Sequence, residues 1–432
     1  MPVDIADART VPADPLSTER LAHRGLDYRV ISGDDVADFL RAEHRGFIDA
    51  EPTDEVVADE LAAQGERRII AVYDREAVQP LPVATECSWG TSLTVPGGEM
   101  PMWAISGVTV AATHRRRGIA RNMLEGELRA AAGAGFAIAG LTVTEATIYG
   151  RYGFAPATAV ARVTIDTARA GWGPHEPSAR VLFVDRDQLA DDLDALHERT
   201  RGDRIGDIAG WPRRWREIAR VVPGATEPRR IRGVRAVDSA GELVGSLAFE
   251  IVDGPSRDRH TFRVNHLIAA TPDARAALWR FAISYDLIDT VEASLQPVDD
   301  PIGWQVHDRR GVEQRVRDHG WLRILDVPAA LAARSMSGAF GVRLAVTDPL
   351  GLADGAWTVA QLGADGVRVE PLDEGERTDI TLDVGALSAA YLGGVPLEAL
   401  QAAGRVTGDG AKIRALSDAL RAPTAPHLSI VY

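Results

Sequence analysis

Cysteine is all but missing from this 432-residue chain: Cys87 stands alone. One thiol can form no disulfide within the chain and no cysteine-based zinc site. Lysine is equally scarce. Lys412 is the only one, and arginine supplies the remaining positive side chains, which reads as a compositional bias of the source. Positive charge is also in deficit, with 48 Lys and Arg against 62 Asp and Glu, a formal net charge of −14. Nucleic acid and anionic membranes both select excess positive charge, so neither is an expected partner. The balance suits a cationic ligand instead. No run approaches the ~20 apolar residues of a membrane helix. Met1 to Pro15 carries several acids and one arginine, without the basic-then-apolar order of a secretory signal. A cytoplasmic protein is expected. The ten histidines show no HExxH or similar pairing, so no metal is expected.

What is present is ordinary globular composition, 45% hydrophobic and 25% charged. At roughly 100–200 residues per domain, the length suits two or three domains. Residues 1–19 lack periodicity and read as a flexible tail. Helical spacing follows over Asp34–Ala50 and Asp54–Ala63. Strands are expected at Arg68–Tyr73, Val83–Leu93 and Met102–Val110, then a helix from Ile119 to Ala132 closed by Gly133 and Gly135. A strand at Gly140–Thr144, a helical turn at Ala146–Tyr152 and a strand at Thr158–Asp166 complete this segment. After a Gly/Pro-rich linker at Ala170–Pro177, the order of strands and helices repeats in degenerate form. From Val327 the pattern changes again. The chain ends in His427–Tyr432, apolar and β-prone. Termini normally fray in water, so an apolar one implies docking into protein. A last strand completing a sheet is the plain alternative.

The sharpest local signal is Val108-Thr109-Val110, then Arg115, Arg116, Arg117 and Gly118, then Ile119, Ala120 and a helix. Unpaired N–H groups at a helix start point at a ligand, and the helix dipole adds partial positive charge. Gly118 lets the backbone approach closely, and the arginines supply charge for phosphate oxygens. The spacing differs from GxxxxGK[ST] and GxGxxG, so neither an NTPase nor a dinucleotide site is supported. A solvated basic turn capping a helix is the plainer reading of the arginines alone.

The order of strand, Arg/Gly turn, helix, strand and Tyr-bearing helix resembles the GCN5-related N-acetyltransferases, the GNAT superfamily. Val110 to Gly118 (VAATHRRRG) and Thr144 to Thr158 (TEATIYGRYGFAPAT) more specifically resemble the Eis (enhanced intracellular survival) family. Ala277 to Arg280 (ALWR), Trp321 to Leu331 (WLRILDVPAAL) and Tyr391 to Gly394 (YLGG) extend the likeness over nearly the whole chain. It is weakest before Arg68.

The resemblance implies an α/β (α+β) fold with tandem GNAT domains, each a mixed sheet with splayed central strands flanked by helices, plus a C-terminal sterol-carrier-protein-like domain. The implied boundaries are 20–165 for the catalytic GNAT domain, 166–325 for a second one without the pyrophosphate loop, and 326–432 for the last domain. Acetyl-CoA is the implied cosubstrate, with no metal. Val108, Thr109 and Val110 would hold its pantetheine and thioester. Arg115, Arg116, Arg117, Gly118, Ile119, Ala120 and Arg121 would surround the pyrophosphate, and Thr144 and Glu145 would flank the acetyl group. Tyr149 matches the family's catalytic tyrosine, a phenol able to protonate the departing thiolate. Tyr152 is expected to pack. The α-carboxylate of Tyr432 would be the general base. A free α-carboxyl, with a pKa of about 3.5, is a poor base unless burial raises it. Family members usually end in Phe, and an acid is expected where Val431 stands. Asp49 and Phe47 correspond loosely to a substrate-facing segment. Cys87 reads as a buried structural thiol. The implied partners are a small cationic amine, aminoglycoside- or polyamine-like, and further copies of the chain in a homohexamer. Acetylation of protein lysines or N-termini, and binding of lipid or acyl-CoA by the last domain, are the alternative functions.

Overall fold

A strand covered on one face buries alternate residues, and one covered on both faces buries nearly all. Arg68–Asp74 (β2, after Leu26–Ile31, β1) and Ala84–Val95 (β3) follow the second pattern. Each face of β2 has its own cover. Ile70 and Val72 pack with Leu21 of helix α1 (Pro15–Ala22) and with Ile119 and Met123. Ile69 and Ala71 pack with Val36, Phe39 and Leu40 of α2 (Asp35–Gly46) and Val57 of α3 (Asp54–Ala62). The computed structural model describes residues 5–256, 259–361, 366–373 and 375–432.

The chain forms two units, one of residues 1–158, 319–426 and 431–432, the other of 159–318 and 427–430. In the first, Gly98–Val110 (β4) pairs antiparallel with β3 and parallel with Ile138–Thr142 (β5), and Ile119–Gly133 (α4) joins β4 to β5. Ala146–Tyr149 (α5) and the short strand Ala155–Pro156 (β6) follow. The second unit opens with Ala159–Asp166 (β7), Arg180–Val184 (β8), Arg232–Val237 (β9), Leu243–Ser256 (β10), Arg259–Ala269 (β11), Ile288–Gln296 (β12) and Val312–Asp318 (β13). Their order across the sheet is β13-β7-β12-β11-β10-β9-β8. Its helices include Thr167–Ala170 (α6), Arg186–Thr200 (α7), Pro212–Ile218 (α8), Pro272–Ile283 (α9) and Ile302–Gln305 (α10).

Two strands depart from the expected division. Thr158–Asp166 was expected to close the first domain, yet β7 pairs with β12 and β13. Gly320–Ile324 (β14) was expected in the second, yet it pairs with β5 and β6, giving the sheet order β1-β2-β3-β4-β5-β14-β6. The compact units divide after Thr158 and before His319. A strand's pattern reveals that it is buried but not which neighbour it pairs with.

Beyond β14, Phe340–Thr347 (β15), Gly355–Gln361 (β16), Arg368–Pro371 (β17), Ile380–Asp383 (β18) and Val406–Gly408 (β19) form a five-stranded sheet. Helices Val327–Ala332 (α11), Val384–Ala390 (α12), Leu397–Ala402 (α13) and Gly410–Leu420 (α14) accompany it. This segment shares the first unit with β14. The fully buried Arg323 of β14 binds Asp348 at 2.6 Å.

The expected tail is largely built. Residues 1–4 lie outside the described residues. From Ala8 a 3₁₀ turn leads into α1, where Asp14 caps the helix by accepting from the Ser17 N–H at 2.8 Å. Arg129 of α4 holds Asp14 at 2.7 Å. Polar contacts anchor this segment, so no apolar stripe announced it. At the other end, residues 427–430 are buried without forming a strand, Val431 is exposed and Tyr432 is half-buried. His427 donates to Ile205 O at 2.8 Å, and the Ser429 N–H to Asp207 at 3.1 Å, both within the second unit.

Candidate active site

β4 and β5 are parallel neighbours at only two positions, Trp103 with Ala139 and Ala104 with Gly140. Beyond them β4 runs on to Val110 without a partner on β5, which keeps its pairing with β14 along the other edge, so the two strands part. Parted strands leave edge N–H and C=O groups without sheet partners. On its other side β4 carries a bulge: Thr85 pairs with Thr109 and Cys87 with Ser106, so Gly107 and Val108 both oppose Glu86. A bulge leaves an extra residue outside the ladder.

The Arg/Gly turn follows directly. Arg116 and Gly118 adopt left-handed backbone at φ +60° and +74°. α4 begins at Gly118 with no side-chain cap, so its first N–H groups remain available to a ligand. The Asn122 amide donates back to Gly118 O at 2.8 Å, and Arg24 donates to Arg117 O. The loop is braced from both sides while its donors stay open. Ile119, Met123, Leu124, Leu128 and Ala131 point into the core.

A cavity of about 440 Å³ occupies the gap. Val108, Thr109, Val110, Arg115, Arg116, Gly118, Ile119, Ala120, Arg121, Thr144, Glu145 and Tyr149 line it, together with Phe47. The structure thus brings together most of the residues singled out in the sequence. Arg117 is not among the lining residues: its guanidinium turns to Asp74 at 3.4 Å. Asp49 is exposed beyond the end of α2 and does not line the cavity. Gly46, His114, Leu124 and Ile148 line it without having been picked out. His114 and Ile148 sit inside the two motifs, and Gly46 adjoins Phe47, so proximity to them was the available signal.

Tyr149 ends α5, 8% exposed, edge-on to Phe154 at 6.2 Å between ring centroids. Gly153 stops the following 3₁₀ turn at φ +88°, where a Cβ would come within 2.8 Å of Val384. Burial above all pushes the Tyr149 phenol up to about 12, so at neutral pH it holds its proton. Tyr152 packs in the core. Cys87 is buried, its thiol likewise pushed up to about 12 by burial.

Tyr432 lies in the same unit but does not line the cavity. Its ring meets Trp89 of β3 edge-on at 5.6 Å. Its N–H donates to Thr142 Oγ1 at 3.2 Å, and the Thr142 hydroxyl donates to its main-chain oxygen. Thr142 ends β5, two residues before cavity-lining Thr144, so Tyr432 sits beside the splay. Among the described residues, no group of three or more His, Cys, Asp or Glu could hold a metal, and no helix is long and apolar enough to cross a membrane.

Comparison with known proteins agrees with this architecture. Acetyltransferase (GNAT) domain families match residues 27–157 and 208–324, and the sterol carrier protein domain matches 327–429. An uncharacterized N-acetyltransferase of Streptomyces avermitilis is 35% identical over 408 residues, spanning 91% of this chain and 96% of its own length. The N-acetyltransferase Eis of Mycobacterium tuberculosis is 31% identical over 338 residues, or 76% of this chain and 80% of that protein. The crystal structure of Eis1 from Mycobacterium abscessus has a TM-score of 0.78 at 28% identity, covering 94% of this chain and 100% of the other. The fold and site define a GNAT N-acetyltransferase, whose fold implies acetyl-CoA as cosubstrate. The two acetyltransferase folds are followed by a sterol-carrier-protein domain. Within that class the chain belongs to the Eis family.

Proposed function

We propose that the protein transfers acetyl from acetyl-CoA to a primary amine of a cationic small molecule, polyamine- or aminoglycoside-like, in a ternary complex. One observation carries this reading: a single cavity joins the uncapped, arginine-rich start of α4 to the protonated phenol of Tyr149. The α4 end suits the pyrophosphate, with Arg115, Arg116 and Arg121 around it. The freed edge of β4 at Val108–Val110 suits the amide-bearing pantetheine, and the main-chain groups of the bulge suit the thioester. Arg117 acts at most through its backbone, since its side chain faces Asp74.

Tyr149 is the general acid for the departing thiolate. The α-carboxylate of Tyr432, held by Thr142 next to the splay, is the general base. An amine is nucleophilic once deprotonated, so no covalent enzyme intermediate is needed. The net charge of −14 favours approach of cationic acceptors. The second unit is catalytically silent in this reading. Its parallel pair β11/β12 stays joined from His260–Val264 to Ile288–Ala293, and Thr271 caps the helix that follows. Cytoplasmic location and a homohexamer belong to the same reading, and sedimentation measures the latter.

The test is thiol release from acetyl-CoA with aminoglycosides, polyamines and peptides. Wild type is run beside Tyr149→Phe and a chain extended by one glycine after Tyr432. Turnover of amines, lost about 10²-fold or more in both variants with acetyl-CoA binding kept, supports the assignments. Preference for peptides would move the acceptor to protein lysines or N-termini. No turnover, or two silent variants, would favour lipid or acyl-CoA binding by the last domain.

A further inference from the structure

Glu43 is a carboxyl group next to the bulge of β4 to which the mechanism above gives no role. It lies on the last turn of α2, on the same helix face as Gly46 and Phe47, three and four residues on. Both of those line the cavity. The contact with β4 is close. A Cβ on Gly46 would fall 2.4 Å from Thr109 Cβ, and one on Gly107 would fall 2.3 Å from Glu43 Oε1. Gly107, at φ +63°, therefore makes the seat in which the carboxyl rests. No donor among the described residues hydrogen-bonds that carboxyl; the residue is half-buried and adjoins the cavity through Gly46 and Phe47 without lining it. Cys87 Sγ flanks the same seat. Cys87 and Trp89 share one face of β3, and Trp89 carries the Tyr432 ring. Glu43 and Tyr432 thus stand on the same side of the sheet.

Its charged surroundings oppose one another. Arg67 and His44 favour the anion, Glu60 and Asp49 oppose it, and the Cys87 thiol is neutral. His44 itself faces Glu60 at 3.2 Å. Burial dominates and lifts the carboxyl from 4.5 to about 7, where a group can both take and release a proton near neutrality.

The reaction removes two protons from nitrogen: R–NH3⁺ and acetyl-S-CoA give R–NH–acetyl, CoA-SH and H⁺. The first must leave before the lone pair can attack, and the second leaves once the C–N bond has formed. We propose that Glu43 is a second acceptor-side carboxylate, which pairs with the incoming ammonium and takes the first of these protons. The Tyr432 carboxylate takes the second. The Tyr149 phenol protonates sulfur as the C–S bond breaks, and recovers a proton from one carboxyl while the other releases its own to water. This presupposes the acetyl transfer proposed for the cavity.

The experiment follows kcat/KM for spermidine from pH 5.5 to 9.5 by thiol release, with wild type, Glu43→Gln, Glu43→Asp and Tyr149→Phe. Spermidine and acetyl-CoA binding are measured by calorimetry on each. In Glu43→Gln the acid limb near pH 7 disappears, and kcat/KM falls about 100-fold at pH 7. It recovers as the pH rises and free amine accumulates. Spermidine binds about 10-fold more weakly, and acetyl-CoA binding is unchanged. Glu43→Asp restores the limb in part. A Glu43→Gln enzyme within threefold of wild type at all pH values, with the limb intact, overturns the role of Glu43. If Tyr149→Phe is inactive in that case, the acetyl transfer itself still stands. A wild type that neither binds nor acetylates spermidine removes both.

Discussion

Replacing Glu127 by glutamine probes a charge cluster buried beneath the sheet of the first unit. Arg68 of β2 is 1% exposed and donates to Val11 O at 3.0 Å, to Pro12 O at 2.9 Å and to Glu127 of α4. Glu127 in turn accepts from Ser88 at 2.8 Å and from the Trp103 indole at 3.2 Å. Breaking a buried ion pair ordinarily costs about 3–5 kcal/mol, because the partner's charge is left uncompensated. Here a substitute stands by. Glu86 is fully buried and, among the described residues, has no hydrogen-bond partner for either oxygen. Burial, and then the charge of Glu127, hold its carboxyl protonated, while Arg68 pulls the other way. Arg68 pairs with Ser88 across the strands and Ile70 with Glu86, so Arg68 and Glu86 share a face. With Glu127 neutral, one obstacle to ionising Glu86 is gone and its attraction to Arg68 remains. Glutamine also keeps an oxygen for Ser88 or Trp103. Glu127→Gln should therefore cost only about 1–2 kcal/mol, and Glu86→Gln, an amide for a neutral acid, less than about 1. The double variant leaves Arg68 unpaired and should cost about 3–5 kcal/mol. The coupling, about 2 kcal/mol at the midpoints of these ranges, is read by urea unfolding at pH 7 through hydrogen exchange of β2 and β3 amides. Costs additive within about 0.5 kcal/mol would refute the takeover by Glu86.

Other perturbations have equally definite outcomes. Gly118→Ala forces a Cβ to within 2.7 Å of Arg24 Nη1 and strains a left-handed residue by roughly 1–2 kcal/mol. Acetyl-CoA affinity measured by calorimetry should fall about 10-fold, and unchanged affinity would remove the loop from the binding site. Arg323→Ala strips the buried partner from Asp348 and should lower stability to urea by about 3–5 kcal/mol; a loss below about 1 contradicts this. Glu43 gives a pH signature. Its folded-state pKa is raised, so its contribution to stability is fully present below 4.5 and is lost as pH rises through about 7. The change is at most about 3 kcal/mol, and Glu43→Gln should flatten it in unfolding curves taken between pH 4.5 and 7.5.

The Arg/Gly loop could be read from the sequence because everything that defines it is contiguous: strand, turn and helix follow one another from Val108 to Gly133. The same holds for Tyr149 within its motif. Glu43 could not be found that way. Its setting arises where α2 meets the bulge of β4, and the bulge itself depends on β3 register. Strands β8 and β13 went unrecognised for a different reason. They are sheet edges with mostly exposed residues, so neither alternates: β13 is mainly polar and charged, and β8 is an unbroken apolar run from Val181 to Val184. The end of the chain was expected to be docked and is buried, yet it makes no strand. Its apolar residues record burial, while the backbone uses isolated bonds such as those to Ile205 and Thr142.

Why one unit and not the other is proposed to carry the chemistry follows from what each does with its parallel strands. In the second, β11 and β12 keep their ladder, and Phe249 stacks on Phe262 at 4.3 Å in the core beneath. That ladder holds five pairs of β11, His260 to Val264, against two pairs of β4. The following helix is closed as well: the Thr271 hydroxyl accepts from Ala274 N–H at 3.1 Å, and Pro272 has no N–H to offer. Its first-turn arginine, Arg275, is bound to Asp300 at 2.7 Å. The first unit forgoes each of these contacts. β4 and β5 part after two pairs, α4 has no capping side chain, and Arg115 and Arg116 line open space. A glycine cap in place of a threonine costs a helix only about a few tenths of a kcal/mol, and unpaired strand edges add to that. Stability given up at one place in the first unit, and retained at the corresponding place in the second, is what a binding cleft requires. Removing the cap in the second unit, as in Thr271→Gly, should therefore confer no acetyl-CoA binding, because Pro272 would still lack an N–H and Arg275 would stay bound to Asp300.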